Sequence, residues 1–255
     1  LYFNTIIWTG ASDTAGRAFT GVGFQPDLVW QKIRNDTYNH KLLDSVRGAG
    51  NDKELLADTN GLEGASSAET YGYLSSFDAD GFTTTAGTSG SAGNLHWNQN
   101  NNLFVAWNWK ESATAGFGIE TWTGDGNTNR DVAHNMSATP NVAIIKRRDS
   151  ANSWIVYHDK NTSAPLTDYL YLDTNDATSD ASGAWIGVDG TNVELVQVFS
   201  ATNTNTATYV GYFFAEKQGF SKFGKYEGNN NANGSFVYTG FSVAWVCVKN
   251  IDTGS

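Results

Sequence analysis

The run GDGNTNRD sets Asp125, Asn127, Asn129 and Asp131 at alternate positions around Gly126. Oxygen ligands at every second residue, with a glycine inside, can wrap a calcium ion. A complete site needs further oxygens, usually a bidentate carboxylate beyond the loop, and the sequence places none. Asp, Asn and Gly also build plain hairpin loops. The matching loops elsewhere in the chain, GASDTAGR and GNNNANGS, drop the acidic positions. A hairpin loop is therefore the expectation, with calcium as the one ion the spacing admits and no other cofactor.

A second candidate is the loop NLHWNQNNN, which carries His96 and Trp97 among amide side chains. An exposed ring flanked by Asn and Gln would suit a sugar: apolar stacking plus amide hydrogen bonds. The competing expectation is that Trp97 folds back to cap a sandwich. Tyr71 and Tyr73 present the same choice. The turn DADG, with Asp78, Asp80 and Gly81, reads as hairpin geometry, because its later counterpart keeps only the DG.

Catalytic groupings are harder to assemble. The four histidines, His40, His96, His134 and His158, include no pair at metal-site spacing. Asp44, Ser45 and His158 could be imagined as a triad, but no serine sits in a nucleophile elbow. Paired carboxylates for glycoside hydrolysis need only be close in space, so they stay open. No catalytic residue is assigned, and the chain is not expected to be an enzyme. The basic run Lys146-Arg147-Arg148 ends at Asp149 and reads as a solvated strand end. Cys247, the only cysteine, lies in AWVCV and reads as a small core residue.

The elements that must hold these residues repeat. Trp8 in IIWTG and Trp122 in ETWTG are 114 residues apart, and Tyr226 in KYEG follows 104 later. The shift of 114 also aligns PDLVWQK with PNVAIIK, and HKLLDS with WIVYHD. LFVAWNWKE matches TYVGYFFAE at a shift of 105. One unit is thus about 105 to 114 residues, and fixed-period self-similarity signals a repeat architecture. The expected organisation is a first β-sandwich over 1–113, a second over 114–220, and the start of a third over 221–255. FVYTGFSVAWVCVKN resembles the opening FTGVGFQPDLVWQKIRND, so that stretch should pack as a cap or form a junction.

Within a unit, alternation gives strands at IIWTG, DLVWQKI, KLLDSV or WIVYHD, and ELLA or YLYLD, followed by a hairpin and a closing FVAWNWK or YVGYFFA. In DLVWQKI, Leu28, Trp30 and Lys32 share one face, and Val29, Gln31 and Ile33 the other. The closing strands are apolar on both faces and should be central. The only helical turn suggested lies around Asn51 to Ala57. The fold class is all-β, as tandem jelly-roll-like β-sandwiches.

A formal charge of −10 argues against a nucleic-acid partner, which wants a basic stripe. No apolar run approaches a membrane-spanning helix, so no membrane insertion is expected. The chain opens at Leu1 without a Met or a signal pattern, and is expected to be part of a longer polypeptide.

GFQPDLVWQKIR, LLDSVRG, SFDADGFT, FVAWNWK and GFSKFGKYEG resemble a repeated module of marine and cyanobacterial tailed-phage structural proteins, often tail fibre-like. The likeness covers nearly the whole chain, although copy two departs from it at ATPNVAIIKRRD and VYHDKN. It implies a virion protein in the tail or a peripheral appendage, contacting other virion proteins and a host-surface glycan. Fibres gain rigidity by symmetric assembly, which makes a homo-oligomer, by default a trimer, the expected state. The alternatives are a lectin-like carbohydrate-binding module and a glycan-degrading tailspike.

Overall fold

A computed structural model describes residues 1–181, 185–196 and 200–252. The last three residues of the third copy lie outside them. The first unit contains β1 (Phe3–Thr9), β2 (Arg17–Phe19), β3 (Leu28–Ile33), β4 (Lys41–Asp44), β5 (Leu55–Leu56), β6 (Tyr73–Asp78), β7 (Gly81–Thr85) and β8 (Leu103–Trp109). They form a five-stranded sheet, β1-β8-β3-β4-β5, and a three-stranded sheet, β2-β7-β6. The one helical turn among the described residues is α1 (Ala68–Tyr71), not residues 51–57, where β5 forms instead.

The second unit contains β9 (Phe117–Thr123), β10 (Arg130–Ala133), β11 (Val142–Arg147), β12 (Ile155–His158), β13 (Asp168–Tyr171), β14 (Ser179–Asp180), β15 (Trp185–Val188), β16 (Asn192–Leu195) and β17 (Thr208–Phe214). Its sheets run β9-β17-β11-β12-β13-β14 and β10-β16-β15. Apart from the added β14, the strand order is that of the first unit, and all pairings are antiparallel. In the first unit the chain crosses from β1 to the small sheet at β2, returns for β3, β4 and β5, crosses again for β6 and β7, and returns for β8; the second unit follows the same path.

Each unit has a core between its two sheets. In the first, Trp8, Val29, Ile33, Phe82, Trp97 and Phe104 pack together. In the second, Trp122, Ile145, Tyr157, Val193, Tyr209 and Phe213 do so. The indole N–H of Trp8 donates to the Trp97 carbonyl at 2.8 Å, and that of Trp122 to the Thr202 carbonyl at 3.0 Å. These are corresponding positions of the two copies.

β8 and β17 are central in their large sheets. Their inner faces belong to their own sandwiches, and a third apolar cluster explains the outer faces. Leu28, Leu42 and Trp109 of the first large sheet share it with Ile119, Val210 and Tyr212 of the second. The two sandwiches therefore meet large sheet against large sheet, and a strand covered on both sides must be apolar on both sides.

From Lys222 to Asp252 no strand forms among the described residues. Phe236 is 90% exposed and Tyr238 77%. Cys247 is also exposed, which corrects its reading as a core residue. The run AWVCV has strand chemistry; its Trp245 packs on the first large sheet, while Val246, Cys247 and Val248 are exposed.

Candidate functional site

The loop around Trp97 is held from below by its own amides. Asn98 accepts from the Ala11 N–H at 3.1 Å, and both Asn94 and Asn98 donate to the Ala15 carbonyl. Gln31 donates to the His96 carbonyl at 3.1 Å. Asn94, His96, Trp97 and Asn98 are all buried, and Trp97 is 0% exposed. Its ring meets Phe82 edge-on at 5.9 Å. A sugar has no face of Trp97 on which to stack; of the two readings the sequence offers, Trp97 takes the one in which it folds back into the sandwich. Asn94 and Asn98 satisfy buried backbone, while Asn100 and Asn101 of the same loop are exposed.

Burial lowers the His96 pKa to about 3, with the nearby Lys41 charge pushing the same way. Tyr71, in α1, places its ring 5.4 Å from the His96 ring. Tyr73 begins β6, and both tyrosines are half-buried. His96, Tyr71 and Trp97 thus share one region, but it turns inward.

The calcium candidate is a closed hydrogen-bonded loop. Asp125 Oδ1 accepts from the Asn127 N–H and from Asn203 Nδ2, both at 2.9 Å. Its Oδ2 accepts from Arg130 Nη1 at 2.9 Å. These donors, led by the Asn127 N–H, lower the Asp125 pKa to about 2. A guanidinium stands where a dication would need an open oxygen, and Asp131 is placed on β10. The residues do not fit calcium, and no cluster of three or more metal-ligating side chains occurs among the described residues. Asp80 is used in a comparable way: its carboxylate accepts from the N–H groups of Gly21 at 3.0 Å and Gly23 at 2.6 Å.

The triad that Asp44, Ser45 and His158 might have formed is dispersed. Ser45 donates to Asp27 at 2.8 Å, and His158 accepts from the Lys160 N–H at 3.0 Å. Asp44 faces the other unit. Its Oδ2 accepts from Arg47 Nε at 2.6 Å and from the Tyr212 hydroxyl at 2.7 Å. Arg47 continues to Glu63 at 2.7 Å, and Glu63 receives Arg148 of the second unit at 2.8 Å. Trp154 donates across the same seam to the Leu56 carbonyl at 2.8 Å.

Lys146 belongs to this seam too. Its ammonium donates to the carbonyls of Asn60 at 3.2 Å and Asn152 at 2.6 Å. The side chain is buried, and desolvation lowers its pKa to about 8. The expected solvated strand end is thus corrected: the basic run docks against the first unit. Sequence inspection missed this network as a site. The available signal was the departure between copies, LLDSVRG against VYHDKN, which puts His158 and Asn161 where the first copy has Asp44 and Arg47. Only the first copy's version meets a Tyr212.

What this geometry does chemically is join units. Asp44, Arg47, Glu63 and Arg148 are paired with one another, Lys146 is held by carbonyls, and hydrogen bonds cross between the sandwiches. A family described as a domain of unknown function (DUF7483) matches residues 1–255. No curated protein and no solved structure matches the chain.

Proposed function

We propose that this chain, which belongs to the DUF7483 family, is a structural segment of a bacteriophage virion, in a tail fibre or other peripheral appendage. The observation that carries the reading is the seam: two repeats joined face to face by a continuous apolar core with a buried Asp44–Arg47–Tyr212 network. Such a joint transmits load and fixes the angle between units, which is what a spacer in an appendage needs. The likeness of its motifs to tailed-phage structural proteins supplies the setting.

In this reading the protein works by passive structure and adhesion. It assembles as a homo-oligomer, a trimer, with other virion proteins. Its Asn- and Thr-rich loops, such as the exposed stretch Gly228–Asn233, face water or a host glycan. The test is immunogold labelling of purified particles from a phage that encodes the chain, with host adsorption measured after antibody blocking. Label on the tail or its appendages, with slowed adsorption, is the expected result. Absence of the chain from purified particles would overturn the proposal.

A further inference from the structure

The core of the second sandwich shows what the first could do without. In the first, Gln31, Lys41, Glu54 and His96 are all buried, each at most 5% exposed. Gln31 stands on β3 between the core residues Val29 and Ile33, and Lys41 lies two residues from the core Leu43 on β4, so both face inward. Strand register identifies their counterparts. Gln31 lies opposite Lys41, as Ile145 lies opposite Ile155. Leu55 pairs with Leu42 as Leu170 does with Val156, which matches Glu54 to Tyr169. His96 falls on Ala201 at the shift of 105. Ile145, Ile155, Tyr169 and Ala201 all belong to the second apolar core.

A sandwich of this plan therefore closes with no charge at these positions, and exchanging a buried ion pair for apolar residues is often neutral or stabilising. The first unit keeps the charges. Lys41 Nζ donates to Glu54 Oε1 at 2.5 Å, and Gln31 Nε2 donates to the His96 carbonyl at 3.1 Å. Gln31 Oε1, Glu54 Oε2 and His96 Nδ1 are buried without a hydrogen-bond partner among the described residues. Buried polar atoms left unpaired are costly, and a catalytic role is one reason for a fold to keep them.

We propose that this group forms a covalent cross-link, an amide between Lys41 Nζ and the side-chain Cδ of Gln31, with Glu54 as the catalytic residue. Opposed residues of an antiparallel pair have Cβ atoms about 4.5–5.5 Å apart. The four-carbon stem of Lys41 therefore spans to the Gln31 carboxamide on the same inward face. Glu54, already bonded to the ammonium, stands where a general base must stand to free an amine nucleophile.

The step balances without an outside reagent. Glu54 Oε1 takes one proton from Lys41 and leaves a neutral amine. Away from water, a neutral amine and acid forfeit less solvation than two ions. The amine lone pair attacks Gln31 Cδ, and the Nζ–Cδ bond forms. Glu54 delivers its proton to Nε2 and takes a second from Nζ. The Cδ–Nε2 bond then breaks, and ammonia leaves with the remaining proton as ammonium, so Glu54 returns to a carboxylate. Nothing is oxidised or reduced. The product ties β3 to β4 inside the first sandwich, and the inference stands independently of any virion role.

The test is the intact mass of the full chain under denaturing conditions, with a peptide map. The expected mass is that of the sequence less one ammonia. Trypsin cuts after Lys32 and Arg34, yet the fragments carrying Gln31 and Lys41 should stay joined. Glu54→Gln should remain at its own full sequence mass, and the mass of the parent chain decides the matter even where that variant does not fold. A folded parent chain at full sequence mass would overturn the proposal. So would loss of a water, which marks an amide to Glu54 instead, or loss of an ammonia with the two fragments separate. Loss of ammonia from the Glu54→Gln chain would overturn the part given to Glu54.

Discussion

The hydroxyl of Tyr212, on the central strand of the second large sheet, donates to Asp44 of the first at 2.7 Å across 168 residues of chain. Asp44 in turn holds Arg47, and both are buried. Removing one partner of a buried ion pair leaves an uncompensated charge, costing about 3–5 kcal/mol. Asp44→Ala should therefore lower stability by that order. Tyr212→Phe keeps the ring in place and loses two hydrogen bonds, the one donated to Asp44 and the one accepted from Arg47 Nη2 at 3.3 Å, at about 1–3 kcal/mol. Urea unfolding measures both. Equal and negligible effects would mean that the seam does not carry load.

Trp97→Ala should cost about 3–5 kcal/mol, the range for emptying a buried aromatic site. A ring displayed for a ligand would change stability by only about 0.5 kcal/mol or less. Denaturant midpoints of Trp97→Ala and Tyr73→Ala, compared side by side, separate the two cases. The half-buried Tyr73 should show much the smaller loss.

His96 gives the fold an acid limit. Its folded pKa, about 3, lies below the ordinary value of 6.5, so the unfolded chain binds the extra proton between those values. Its contribution is complete above about pH 6.5 and is lost as pH falls toward 3. His96→Gln should flatten the pH dependence of the urea midpoint in that window. An unchanged slope would place the acid sensitivity elsewhere.

Lys146 acts at the opposite end. Desolvation sets its folded pKa near 8, below the usual 10.5, so the unfolded state holds more protons between these values. Stability from this group rises with pH across that window. Lys146→Met should remove the rise, as read by thermal melts from pH 7.5 to pH 10. A rise that survives the substitution would count against the assignment.

Gly10 and Gly124 occupy corresponding positions, and a Cβ on either would meet a backbone oxygen: Gln99 O at 1.8 Å and Thr204 O at 2.0 Å. Gly10→Ala and Gly124→Ala should both destabilise, by about 1–3 kcal/mol as overpacking does. A neutral result at one site alone would show that the two copies close their sandwiches differently.

Much of this fold was legible in the sequence because its signals are local. Turn glycines, the TG after Trp8 and Trp122, and period-two alternation in DLVWQKI mark strands and their inward faces directly. The two-sided apolar character of FVAWNWK and YVGYFFA indicated a central strand. It could not indicate what covers the second face, because the cover comes from another unit far along the chain. Trp97 was open to two readings for a related reason. Asn94 and Asn98 look solvated by composition, but their partners, Ala11 and Ala15, belong to a distant loop. Asp125 likewise stands in a spacing that admits calcium as well as the expected hairpin loop, and only the distant Asn203, with Arg130, shows its carboxylate to be occupied.

The two-sided cover of the large sheets also governs how copies of this repeat can diverge. An outer-face residue answers to a neighbour in a different copy, so a change there needs a matching change about one period away. Asp44 and Arg47 illustrate it: they face Tyr212 of the other unit, whereas their counterparts His158 and Asn161 accept from the Lys160 N–H and the Thr178 hydroxyl within their own unit. Duplicated copies joined in this way stop being interchangeable. Shuffling one repeat into the place of another would carry half of a matched pair and leave the other half behind.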